Sequence, residues 1–140
     1  MREKEILCWF KRILLLKVVL ISLMWAPALF VPVWVFNILG INISGDFLFV
    51  RLFGALQSSL GVAYYFAYRE PAKNSAIIKV AIFENVLVSI TIIFVGVTTG
   101  ISSWFVWVSC GLTIFFGTSL LLLYTKWRRE KKLEEGESGE

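Results

Sequence analysis

Apolar residues fall into four runs separated by short polar stretches, at about 13–36, 47–68, 76–97 and 104–124. A helix crossing a bilayer needs ~20 mostly apolar residues, and each run approaches or exceeds that length. The pattern predicts an all-α polytopic membrane protein, four transmembrane helices in an antiparallel bundle. Residues 1–12 form a basic cytoplasmic amino-terminal segment, 13–124 the transmembrane domain and 125–140 a charged cytoplasmic tail.

The punctuation supports these cuts. Asn37 to Asp46 has the Gly, Asn, Ser and Asp content of a loop, and Pro71 in Arg69 to Asn74 stops a helix from running on. That short turn makes spans two and three a hairpin. No charge occurs between Glu84 and Lys126, a stretch too long for one span, so Thr98 to Ser103 must break it. In the first run, Pro27 and Pro32 each remove a backbone donor and should bend the helix. Ala26-Pro27-Ala28 matches a signal-peptide cleavage pattern, but the apolar run continues through Phe36, which favours a retained helix. Asn42-Ile43-Ser44 is an N-glycosylation sequon pressed between two spans, and chance explains it better than use. The acidic end of the tail should be solvated and disordered.

The chain of 140 residues is 58% hydrophobic, too apolar for a soluble domain. Its net charge of +4 changes the picture only through placement. Of 14 basic residues, all but Arg51 flank the amino end, the second loop or the carboxyl end, which four spans put on one side. The positive-inside rule makes that side cytoplasmic. Basic clusters beside apolar runs disfavour nucleic acid as a partner. Histidine is absent, and Cys8 and Cys110 have neither metal-ligand spacing nor a disulfide pattern, so no cofactor or metal is expected. The expected location is the plasma membrane of a prokaryotic cell. The expected partners are the bilayer, further copies of the chain or another membrane protein.

Polar residues inside the apolar runs are the candidate sites. On span two, Arg51, Gly54, Ser58, Gly61, Tyr65 and Tyr68 recur every three or four residues, and Gly54, Ser58 and Gly61 should form a helix-packing seam. On span three, Glu84 and Asn85 interrupt an otherwise apolar helix. A charge at such a depth costs roughly 2.5 to 3.5 kcal/mol, so Glu84 should face the bundle or a partner. At ~1.5 Å per residue Glu84 and Arg51 differ in depth by roughly 14 Å, so they do not pair directly. Arg51 is expected to reach outward toward Asp46 or lipid phosphate. Gln57 lies near the midplane and can donate to Glu84; Lys17 is a better-placed cation than Lys79, which lies about 140° around its own helix. If structural, Glu84 is neutral and bonds Gln57 and Asn85.

Arg51 to Asn74, "RLFGALQSSLGVAYYFAYREPAKN", together with the four-span layout, resembles the small DoxX-like four-helix membrane proteins. The resemblance covers about half the chain. It rests on an arginine at the outer end of a glycine-bearing helix and an Arg-x-Pro inner turn. It implies a fold; some members of the wider group are associated with quinone-linked oxidoreductases, but no redox residue here matches.

Three function classes follow. A non-catalytic or accessory membrane component agrees with the short loops and the absence of catalytic motifs. A small oligomeric transporter or channel would use Glu84, with Gln57, Asn85 and Ser58 beside it. A membrane enzyme acting on lipid or quinone would have Glu84 as its only acid or base, whereas acid–base chemistry usually needs a second positioned group.

Overall fold

A computed structural model of the chain describes residues 3–40, 48–100 and 103–137. The described residues are helical throughout, without a strand: α1 (Glu3–Met24), a 3-10 turn (Ala26–Leu29), α2 (Val33–Ile38), α3 (Leu48–Arg69), α4 (Ser75–Thr99) and α5 (Trp104–Glu137). The sequon at Asn42, the acidic Asp46 and the last three tail residues lie outside the described residues.

The first apolar run does not bend as one helix; it breaks. α1 begins near the amino end and stops at Met24, because Pro27 has no N–H to continue the ladder. The carbonyl of Pro27 then accepts from both Phe30 and Val31 at 2.9 Å. Pro32 holds extended backbone, φ −64° and ψ 155°, which restricts the residue before it and starts α2 afresh. The other stops match their residues. Asn74 donates its side-chain amide to the carbonyls of Phe66 and Glu70 at 3.2 and 3.0 Å, satisfying the end of α3 just after Pro71. Gly100, at φ +68°, closes α4 with its N–H on the Gly96 carbonyl. At the far end α5 continues past Tyr124 to Glu137, since the Lys, Arg and Glu of the tail are good helix formers.

Contacts fix the directions. Phe10 meets Trp127 and Trp25 meets Phe105, so α1 and α5 run antiparallel. Ile21 faces Gly61 and Ala28 faces Gly54, so α1 and α3 do too. Ser89 meets Thr113, and Asn85 packs at Gly117, which sets α4 against α5. Among the described residues, two helices are long and apolar enough by themselves to cross a membrane, Ser75–Thr99 and Trp104–Leu133. α1 spends its first half on Lys4, Glu5, Lys11 and Arg12, and α3 carries Arg51, Gln57, Ser58 and Ser59.

The buried apolar side chains concentrate at one end. Ile6, Phe10, Leu14, Tyr64, Ala67, Ile78, Ala81 and Leu120 are fully buried there, with Trp127 edge-on to Phe10 at 6.4 Å. Lys17 and Glu84 cap this packed half, and the other half is hollow.

Candidate functional site: a buried ion pair beneath a cavity

Lys17 Nζ lies 2.6 Å from Glu84 Oε2, with the lysine only 4 % exposed. Tyr64 Oη donates to the same carboxylate oxygen at 2.9 Å, and Gln57 Nε2 approaches Oε1 at 3.4 Å. Three helices thus converge on one carboxylate. All three neighbours are donors, the surroundings of an ionised carboxylate, which accepts and does not donate. The Lys17 ammonium also lies 4.5 Å from the centre of the Tyr64 ring and 5.9 Å from that of Phe116. These rings take up part of what water would supply to a buried cation.

Asn85 does not join this network. Its amide donates to the Ala81 carbonyl one turn back in α4, and it is buried where Gly117 lets α5 come close. One residue along a helix turns the side chain by about 100°, which carries Asn85 from the Glu84 face to the α5 face. The expected Asn85–Glu84 bond is therefore replaced by an Asn85 contact with α5. Lys79 lies over the Tyr124 ring at 5.9 Å, away from the pair. Arg51 is exposed and donates to the Leu29 carbonyl, in the stretch where the first apolar run is interrupted, and its expected partner Asp46 lies outside the described residues.

The packed face of α3 is turned by one position from the expected seam. Gly54, Gln57, Gly61, Tyr64 and Ala67 are buried, while Arg51 and Tyr65 are exposed and Ser58 and Tyr68 half-buried. Ser58 bonds the Gly54 carbonyl of its own helix at 2.8 Å. Gly54 and Gly61 do mark close approaches: a Cβ on Gly54 would lie 3.1 Å from the Trp25 carbonyl oxygen, and one on Gly61 3.3 Å from Ile21 Cγ2. Sequence reasoning passed over Tyr64, although its position two turns after Gln57 was the available signal. It also passed over the Ser89–Thr113 hydrogen bond of 2.8 Å between α4 and α5.

Above the pair lies a cavity of about 350 Å³. Its walls are mainly apolar, from Leu20, Ile21 and Met24 on α1, Val88 and Ile92 on α4 and Leu112 on α5. Lys17, Gln57, Glu84 and Asn85 line it as well, and Trp25, Phe53 and Val106 bound its opposite end. Among the described residues no group of acidic and cysteine side chains is arranged to hold a metal ion.

No protein-family model, curated protein or solved structure matches the chain. The functional reading therefore rests on the residues and geometry alone.

Proposed function

We propose that the protein is a non-catalytic multi-pass membrane component, with four spans and both termini cytoplasmic, in which the Lys17–Glu84 pair fastens the helices together. The carrying observation is that the chain satisfies Glu84 itself, through Lys17, Tyr64 and Gln57. A carboxylate already held by three donors has little freedom to exchange ions, and the two titratable groups beside it, Lys17 and Tyr64, are themselves engaged in holding it. Among the described residues, buried apolar side chains from Ile6 to Leu120 fill the half on the other side of the pair, which weighs against a passage for a transported ion there.

Four spans are supported by the charge distribution and by the antiparallel contacts of α1, α3, α4 and α5. In this reading α1, the 3-10 turn and α2 cross together, and interruption of a membrane helix is tolerated where neighbouring groups satisfy its backbone. Arg51 does so at Leu29. The DoxX-like resemblance agrees with this arrangement and remains a proposal at the level of fold.

The transporter reading has one observation in its favour, a cavity that ends on the ion pair. Reconstitution into proteoliposomes separates the two. With a pH-sensitive dye inside and imposed proton or sodium gradients, the non-catalytic reading expects leakage no faster than in empty liposomes. A flux that Glu84→Asp alters, in a variant that keeps its fold, would replace it with transport.

A further inference from the structure

The cavity has a shape, a chemistry and an unanswered hydrogen bond. Along α5 its lining runs from Val106 to Phe116, ten positions further on. At ~1.5 Å per residue that is about 15 Å, so the cavity of about 350 Å³ is elongated along α5, the shape an extended hydrocarbon chain requires.

The walls are aliphatic, and the charges at the floor cancel, because Lys17 is paired with Glu84. A charged head group buried in this cavity would have no free counter-charge, because Lys17 and Glu84 engage each other. An uncharged one avoids that cost. Ser109 supplies the polar contact. It is 6 % exposed, lines the cavity, and its hydroxyl is the one buried side-chain polar atom among the described residues without a hydrogen-bond partner. An orphaned buried hydroxyl is unfavourable, so a group that bonds to it is favoured there. Access is lateral: Leu87 and Thr91 line the cavity and are exposed on the outer face of α4.

We propose that this cavity holds one uncharged single-chain lipid, its hydroxyl or ester carbonyl bonded to Ser109 and its chain lying along Leu112, Val88 and Ile21. Phe116, which lies over the Lys17 ammonium, shields part of the chain from the pair. The inference rests on the membrane reading for how the lipid arrives, and on the cavity alone for whether it binds.

The test uses the full chain purified in detergent and a photoactivatable monooleoylglycerol, with adducts located by peptide mass spectrometry. Saturable adducts on the cavity-lining residues of α4 and α5 are expected, displaced by unlabelled monooleoylglycerol and at least tenfold less well by oleate. Ser109→Ala should weaken binding about threefold to tenfold, the worth of one hydrogen bond. Leu112→Trp should abolish the adducts by filling the cavity, and Val88→Phe serves if that variant does not fold. Absence of saturable adducts, adducts elsewhere, or labelling unchanged in both Ser109→Ala and a filled variant would overturn the proposal. Alkaline carbonate extraction tests the membrane reading separately: release of the chain from membranes defeats that reading and leaves the detergent binding result to stand or fall by itself.

Discussion

Lys17 and Glu84 stand 67 positions apart in the chain and 2.6 Å apart in space, joining α1 to α4. Neither helix follows the other directly, so the pair ties the first part of the chain to the third long helix. Because Lys17 is buried and Glu84 partly so, the energetics are governed less by their attraction than by what happens when one is removed. A lone buried charge is costly, whereas a pair replaced as a unit can be neutral or stabilising.

The first prediction follows from that asymmetry. Glu84→Gln leaves the Lys17 ammonium without its anion and should destabilise by about 3–5 kcal/mol, and Lys17→Met alone should do similar harm by stranding the carboxylate. The double variant Lys17→Met with Glu84→Gln should recover most of the loss. Unfolding in mild detergent, followed by tryptophan fluorescence across the four chains, gives the coupling. Additive losses in the double variant would mean that the two groups do not act as a pair.

Tyr64 makes the second prediction. Its phenol donates to the carboxylate from a fully buried position. Tyr64→Phe keeps the ring and deletes only the donor, so a cost of about 1.5–3 kcal/mol is expected, the range for hydrogen bonds to charged groups. In the Lys17→Met, Glu84→Gln background the same change should cost much less, because the acceptor is then neutral. Equal costs in both backgrounds would show that Tyr64 acts through packing alone.

Helical character and the positions of most stops were legible because the length of each apolar run, Pro71 and Gly100 act locally. The candidate site was legible only in part. Depth along a helix gave Lys17 and Gln57 as neighbours of Glu84, since rise per residue is fixed. Rotation was not fixed. Arg51, Ser58 and Tyr65 share a spacing with Gly54 and Gly61 as regular as that of Gln57 and Tyr64, and only contact with Ile21 of α1 and with Trp25 and Ala28 beyond its end decides which stripe is buried. The break after Met24 escaped for a similar reason: one proline bends a helix, and two prolines five residues apart, the second itself in extended backbone, end it.

Topology gives the third prediction, motivated by the 13 basic residues other than Arg51. Native Cys8 is exposed and Cys110 is buried, so Cys8 reports the amino-terminal side without further engineering. Thr99→Cys in a Cys8→Ser background reports the end of α4, where Thr99 is exposed. In intact cells a membrane-impermeant maleimide should label Thr99→Cys and leave Cys8 unlabelled until the membrane is permeabilised. Labelling of both from the same side would overturn the four-span arrangement.

The last prediction compares two glycines inside helices that have opposite surroundings. At Gly54 an added Cβ would come within 3.1 Å of the Trp25 carbonyl oxygen and 3.2 Å of Ala28 Cβ, so α3 would have to move away from the interrupted segment. At Gly111 nothing lies within 4 Å of the same atom. Alanine is the better helix former by about 0.5–1 kcal/mol in a helix interior, a gain available wherever the site has room. Gly111→Ala should therefore stabilise by about that amount. Gly54→Ala should lose the gain to the clash, and Gly54→Val, with two further methyl groups, should destabilise by about 1–3 kcal/mol, the usual cost of overpacking. Detergent unfolding of the three variants measures the order. If Gly54→Val is as stable as the native chain, the close approach of α3 to Trp25 and Ala28 is wrong, and with it the account of why the buried face of α3 follows Gly54, Gln57 and Gly61.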